Sequence, residues 1–260
     1  MSIIHVEKWP SLLLLARHGE SEANVRKNAA KAAGQEPAWT GVVRDQDSPL
    51  TIPGHGQAYR LGLMLGKNPS YRVDYIITSP YLRAKQTTEE IMFGYDKAGW
   101  APRVVVEERI REIEFGIMDG IDRKEFRRLF PSEADRRERD GKYYYRPPGG
   151  ENRPDVRLRV HSVLDTLNRD YVGKKVLIVC HSVVVLAFRS LLERWEEKEY
   201  LQVDKEDDVK NCGLTIYSRE EERRLKLHAY NVVAPDGIAD EFRPYSVPPP
   251  CNHPDCAGKP

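Results

Sequence analysis

This sequence predicts an α/β protein: a three-layer α/β/α sandwich whose mixed, mostly parallel sheet carries helices on both faces. Three observations lead there. Short runs rich in leucine and β-branched residues alternate with longer helical stretches. The runs are apolar at nearly every position instead of every second one, as strands covered on both faces must be. Glycine and proline clusters punctuate the chain without splitting it, so most of the 260 residues, 1–242, read as one domain.

Taken in order, the first strand is SLLLLA (11–16). Residues 25–48 are polar, irregular or weakly helical, long for a plain connection, and a candidate lid or else a solvated surface excursion. A helical stretch at 54–66 precedes the strand VDYIIT (73–78), and another at 80–93 precedes RVVVE (103–107). A second insert, 117–147, is irregular or weakly helical and also lid-like. Helix 152–170, strand KVLIVC (175–180) and helix 183–195 complete the alternation. CGLTIYS (212–218) and RLKLHAYNVV (224–233) flank the charged turn REEER and predict a late hairpin at a sheet edge. Such an edge can pair with a second subunit, making a homodimer possible. Residues 243–260 read as a flexible tail. Within it Cys251, His253 and Cys256 resemble half a zinc knuckle, but a fourth ligand is missing. Neither a metal nor a cofactor is expected.

Lys+Arg 41 against Asp+Glu 40 leaves a formal charge of +1, so no field of the whole molecule attracts nucleic acid or anionic lipid. Anion affinity must be local. The longest apolar run, Leu12 to Ala16, is far below the roughly 20 residues that span a bilayer, and no basic-then-apolar leader precedes it. The expectation is a cytoplasmic protein with neither membrane nor nucleic acid as partner. Four cysteines are too few for a disulfide scaffold, and burial explains Cys180, so reduced thiols are expected.

Ligands of open α/β sheets bind beyond the carboxyl ends of the strands. Arg17 and His18 follow the first strand; Ser79, Pro80 and, one turn later, Arg83 follow the second. Glu112 comes shortly after the third, and His181 directly after VLIVC. Each has a plain structural alternative. Arg-His-Gly arises by chance in such a length at a rate of about a few per cent. His181 suits a hydrogen-bonded core, and Arg83 and Glu112 suit a solvated surface. Only their coincidence at strand ends brings two guanidinium groups, two imidazoles and a carboxyl to one edge.

Six blocks carry a resemblance: LARHGESEAN, PLTIPGHGQA (49–58), TSPYLRAKQT (78–87), IREIEFG (110–116), PPGGENRPDVRLRV (147–160) and VLIVCHS (176–182). In this order they resemble the histidine phosphatase superfamily, the phosphoglycerate-mutase-like proteins, over residues 11 to about 231. Ser182 stands where that family usually has glycine, and Asn152 where serine is common. The resemblance implies a phosphoglycerate-mutase-like fold with His18 as the nucleophile that takes a phosphoryl group. It implies that Arg17, Arg83 and His181 bind the phosphoryl oxygens, with Asn24 and Ser182 assisting, and that Glu112 protonates the leaving oxygen. Lys142, Tyr145 and Arg146 lie in RDGKYYYRPPGGEN (139–152), which is similar to the bisphosphatase acting on fructose 2,6-bisphosphate. They would contact a second phosphate or sugar hydroxyls, or else form an exposed aromatic loop.

The chemistry agrees with that assignment. Phosphoryl transfer needs in-line positioning and charge stabilisation on the equatorial oxygens, and arginine forks supply both without a metal. His18 must attack as neutral imidazole, favoured by nearby arginines; Glu112 must hold a proton, favoured by burial. The expected function is a metal-independent phosphatase for small phosphate monoesters, such as sugar phosphates, acting through a phosphohistidine. The resemblance implies hydrolysis over mutase chemistry, since Glu112 and His181 lie closer in sequence than the matching residues of the family's mutases. No G-x-x-x-x-G-K-[ST] kinase loop is present. Two alternatives stay open: a cofactor-dependent phosphoglycerate mutase, and a catalytically silent module that binds phosphoproteins.

Overall fold

Successive side chains of a strand point to opposite faces, so four consecutive leucines need two cores. Strand β1 (Leu12–Arg17) has both: Leu13 and Leu15 enter one, Leu12, Leu14 and Ala16 the other. Strand β4 (Lys175–Cys180) divides the same way, with Val176, Ile178 and Cys180 in the first core and Leu177 and Val179 in the second. The two strands run parallel, from Leu12 opposite Lys175 to Arg17 opposite Cys180. In this computed structural model, residues 8–32, 44–219 and 224–236 are described.

Six strands form one sheet, numbered along the chain. Its spatial order is β3 (Arg103–Val106), β2 (Tyr75–Thr78), β4, β1, β5 (Leu214–Arg219), β6 (Leu225–Val232). The first four are parallel, and β5 and β6 are antiparallel to their neighbours. Helices α2 (Ile52–Lys67) and α3 (Leu82–Asp96) close the second core, with Leu61, Leu65, Ile91 and Tyr95 among the buried side chains. On the other face α6 (Arg153–Asp170) and α7 (Ser182–Leu192) supply Val160, Leu167, Val184 and Phe188. The result is the three-layer α/β/α sandwich. Truncating a fully buried leucine such as Leu14 to alanine would cost about 2–5 kcal/mol.

Helix starts follow their local chemistry. Thr51 caps α2 by accepting the Gly54 N–H, with Pro53 in the first turn. Asn152 and Asp155 form a reciprocal capping box at α6. Asparagine caps as well as serine does, so this departure from the family's usual residue leaves the helix start intact.

One expectation needs correction, and three segments hold more helix than the sequence conveys. RVVV at 103–106 is not buried on both faces: as β3 it is an edge strand, paired among the described residues with β2, and Val104 and Val106 are exposed. Residues 117–147, expected to be irregular or weakly helical, hold α4 (Arg123–Leu129) and α5 (Pro131–Tyr144). Asp122 caps α4, and Phe126, Ala134 and Tyr145 form a small core of their own. The polar insert at 25–48 opens with helix α1 (Glu22–Ala32), and α8 (Glu197–Glu206), started by a Glu196–Glu199 capping box, was not foreseen. The late hairpin forms β5 and β6 at the edge. Its turn residues 220–223, the tail 243–260 with Cys251, His253 and Cys256, and positions 33–43 of the insert lie outside the described residues. Among the described residues no helix is long and apolar enough to cross a membrane.

Candidate active site

The carboxyl ends of β1, β2 and β4 meet because these strands are parallel neighbours. Arg17 ends β1 opposite Cys180, and the His18 N–H continues the ladder to the Cys180 carbonyl at 2.9 Å. A rigid, buried mount thus hands the chain directly to two polar side chains. Gly19 follows because nothing larger fits: a Cβ there would lie 2.5 Å from the Gly54 carbonyl oxygen at the start of α2. Its N–H donates to Thr87 Oγ1 at 3.0 Å, and Thr87 in turn donates to the Arg83 carbonyl one helical turn earlier.

The His18 ring is 3% exposed. Its Nδ1 is 2.7 Å from the Gly19 carbonyl, which can only accept, so Nδ1 carries the proton. Its Nε2 accepts from Arg83 Nε at 3.1 Å and therefore presents its lone pair. Burial, then Arg83, then Arg17 hold its pKa well below an imidazole's usual 6.5. His181, fully buried, stands with its ring centroid 5.2 Å from that of His18. Burial first, and Arg83 next, depress its pKa as well. Its Nε2 is 2.8 Å from Ser79 Oγ, which also accepts the Tyr81 N–H. Its Nδ1 is a buried polar atom without a hydrogen-bond partner among the described residues.

Arg83 at 4% exposure completes the cluster and stacks over the Tyr81 ring at 5.1 Å. Arg17 donates through Nη1 to the Val209 carbonyl, while its Nε is buried and unpartnered among the described residues. Burial lowers the Arg17 pKa, and the charges of Asp208 and Glu112 oppose that. Glu112 is 9% exposed on the loop after β3, and one carboxylate oxygen accepts the Ile113 N–H at 3.0 Å. Burial raises its pKa. The loop is tied down by Arg159 of α6, whose guanidinium donates to the carbonyls of Arg109 and Glu112 and to Glu151.

Asn24 reaches the cluster indirectly: its Oδ1 accepts from Asn211 Nδ2, which also donates to the His18 carbonyl. The Ser182 hydroxyl is turned to Asp208 at 2.9 Å. Three other expected contacts are engaged elsewhere. The Tyr145 hydroxyl donates to Glu133 at 3.0 Å, its ring is buried in the small α4–α5 core, and burial together with Glu133 pushes its pKa up to about 12. Arg146 pairs with Asp155, and Lys142 with Asp204 at 2.6 Å. Among the described residues, none of the three makes its hydrogen bond or ion pair with the His18 cluster. Residues that the sequence did not single out include Asp45, Thr87, Arg159 and Asn211. Thr87 and Arg159 had a local signal, Thr87 lying inside TSPYLRAKQT one turn after Arg83 and Arg159 inside PPGGENRPDVRLRV.

Paired histidines and arginines beneath a protonatable carboxyl, at the strand ends of a phosphoglycerate-mutase-like sandwich, define a class of phosphate-handling proteins. Comparison with known proteins agrees: residues 13–232 match the family model of the histidine phosphatase superfamily (branch 1). The chain belongs to that superfamily. It is 28% identical over 232 residues to the phosphoglycerate mutase-like protein AT74H of Arabidopsis thaliana, covering 80% of this chain and 73% of that one. It is 27% identical over 231 residues to 6-phosphofructo-2-kinase/fructose-2,6-bisphosphatase of Aquarana catesbeiana. That match covers 88% of this chain but 43% of the relative, so the chain spans less than half of that longer protein. Among solved structures, the alpha-ribazole phosphatase of Shigella flexneri superposes with a TM-score of 0.67 at 20% identity, over 85% of this chain and 96% of that one, which shows the shared fold.

Proposed function

We propose that the protein is a metal-independent phosphatase of small phosphate monoesters that works through a phosphohistidine on His18, with Glu112 as general acid and base. One observation carries the reading: a buried, neutral imidazole whose proton is held on Nδ1 by the Gly19 carbonyl and whose Nε2 lone pair faces Arg83. A nucleophile aimed at a phosphate dianion must be uncharged and flanked by cations, and this ring is both. Relatives named as phosphatases and bisphosphatases support hydrolysis.

In the first step the Nε2 lone pair gives up its hydrogen bond from Arg83, which passes to a phosphoryl oxygen, and attacks phosphorus; the ester P–O bond breaks, and the Glu112 proton passes to the leaving oxygen. The ring becomes cationic while phosphorylated, and the Gly19 carbonyl on Nδ1–H stabilises it. Arg83 and Arg17 oppose the charge on the phosphoryl oxygens in place of a metal ion. In the second step water attacks phosphorus, its proton returns to Glu112, and the N–P bond breaks to release inorganic phosphate. Burial that raises the Glu112 pKa keeps the acid form populated for the first step.

The test is turnover of p-nitrophenyl phosphate by wild type and His18→Ala, with labelled substrate quenched rapidly to trap the phosphoenzyme. Wild type should carry acid-labile, base-stable phosphorus and His18→Ala none. Turnover by His18→Ala, or its loss from wild type on adding EDTA, would overturn the assignment. Phosphate release against isomer exchange on 3-phosphoglycerate separates a phosphatase from a mutase.

A further inference from the structure

The Arg83 guanidinium has five N–H groups in one plane, and four of them have acceptors. Both Nη1 protons go to Asp45, one to its carbonyl and one to Oδ1 at 3.2 Å. One Nη2 proton goes to Asp45 Oδ2 at 2.9 Å, and the Nε proton to His18 Nε2. Asp45 thus grips the outer end of the fork with both carboxylate oxygens. Planarity then dictates where the fifth N–H points: it is on Nη2, parallel to Nε–H, on the edge that faces His18. A phosphorus bonded at Nε2 takes the lone pair that now accepts Nε–H, and the same edge is then the two-pronged donor that its oxygens would meet.

We propose that Asp45 is a positioning residue that clamps the far end of Arg83 so that its Nε–Nη2 edge is held toward the nitrogen that accepts the phosphoryl group. The inference rests on the reading of His18 as nucleophile. Asp45 begins a short 3-10 turn, Asp45–Asp47, ahead of α2, and that turn is tied to α1 by Ser48, whose hydroxyl accepts the Ala23 N–H. The clamp therefore comes from the polar insert and from no element of the sheet. An arginine on one helical turn of α3 has long, flexible torsions; the carboxylate removes that freedom before substrate arrives.

Asp45 has a second consequence. Glu112 is faced by Arg83 and Tyr81 from the α3 side, Arg17 from β1, Arg159 from α6, Cys180 from β4 and Tyr200 from α8, as well as by Asp45. Arg83 and Arg159 favour loss of its proton, and Asp45 opposes them. Burial raises the Glu112 pKa first and Asp45 adds to it, so removing the Asp45 charge lets Glu112 deprotonate at lower pH.

The experiment compares wild type, Asp45→Asn and Asp45→Glu for turnover of p-nitrophenyl phosphate across pH, and for calorimetric binding of inorganic phosphate. Asparagine turns an N–H toward Nη2 and breaks the fork. Asp45→Asn should lower kcat by about tenfold or more, as loss of orientation does, weaken phosphate binding, and move the alkaline limb of the profile to lower pH. Asp45→Glu should restore the limb and most of kcat. Tighter phosphate binding with kcat kept in Asp45→Asn would make Asp45 a competitor of phosphate and overturn the proposal. An unmoved pH limb with equal loss in both variants would reduce Asp45 to a structural role and also overturn it. If wild type binds phosphate without turning over substrate, the phosphatase reading falls; weaker binding by Asp45→Asn would then still support the clamp. If wild type binds no phosphate, both fall.

Discussion

Replacing Gly19 by alanine tests whether α2 sets the position of His18. The glycine is required here by a close approach and not by its φ, which lies outside the left-handed region. An added Cβ would sit 2.5 Å from the Gly54 carbonyl oxygen, 3.1 Å from its carbon and 3.3 Å from its Cα. Backbone is all it meets, so no side chain can swing aside, and the end of β1 must part from α2 by about half an ångström or more. Retreat of α2 is resisted, because the Thr51 N–H and hydroxyl at its start donate to the Glu20 carbonyl at 2.9 and 3.3 Å. The strain therefore falls on residues 18 and 19, whose contacts hold Thr87 and the Nδ1 proton. Overpacking of this kind costs about 1–3 kcal/mol, and each kcal/mol lowers Tm by roughly 2–4 °C in a domain of this size. Misplacing a reacting atom by about 1 Å lowers the rate about 100-fold. Initial rates with p-nitrophenyl phosphate and a thermal melt on the same preparation should show a modest loss of Tm and a much larger loss of kcat. Activity within threefold of wild type in a folded Gly19→Ala protein would refute the idea that this contact registers the nucleophile.

Glu112→Gln should lower kcat by about 10²–10⁴-fold, because an amide cannot deliver the proton. The same variant should melt above wild type near pH 8, with the difference closing toward pH 4. A carboxyl whose folded pKa is raised favours the fold below its unfolded pKa, and that contribution is lost as pH rises through the folded pKa; glutamine has no proton to lose. Equal melting temperatures at pH 8 would contradict burial as the cause of the raised pKa. Tyr145→Phe and Arg146→Ala should each leave kcat/KM within about twofold of wild type, since their partners are Glu133 and Asp155 and such losses stay near 0.5 kcal/mol. A tenfold rise in KM from either would return those side chains to the substrate.

Much of the layout could be read from local pattern. LLLLAR and KVLIVC are apolar at nearly every position because both faces of β1 and β4 are covered, and the histidines after them mark the carboxyl ends of adjacent strands. RVVV carries the same pattern at an open edge, since apolar content alone does not say whether a strand has one neighbour or two. Helices α4 and α5 give only a weak helical signal because they hold few apolar residues. Their cohesion comes from one small core around Phe126 and from pairs such as Arg127 with Asp135, which exist only once the helices face each other. For Tyr145 and Arg146 the loop sequence shows which groups can bind an anion, and the fold adds that Glu133 and Asp155 are their partners.

By itself the sequence determined the layered α/β fold, the superfamily, and the identities of the two histidines, the two arginines and the carboxyl at the strand ends. These follow from short-range rules of strand periodicity and residue order, and no distant contact is needed to read them. The tertiary structure alone decided the electrostatic surroundings of the site and the orientation of its arginine. Burial raises the Glu112 pKa and lowers that of His18, and Asp45, which is 38 residues from Arg83 along the chain, grips the guanidinium from the insert. Burial and long-range hydrogen bonds depend on which segments meet, and only the folded chain sets that.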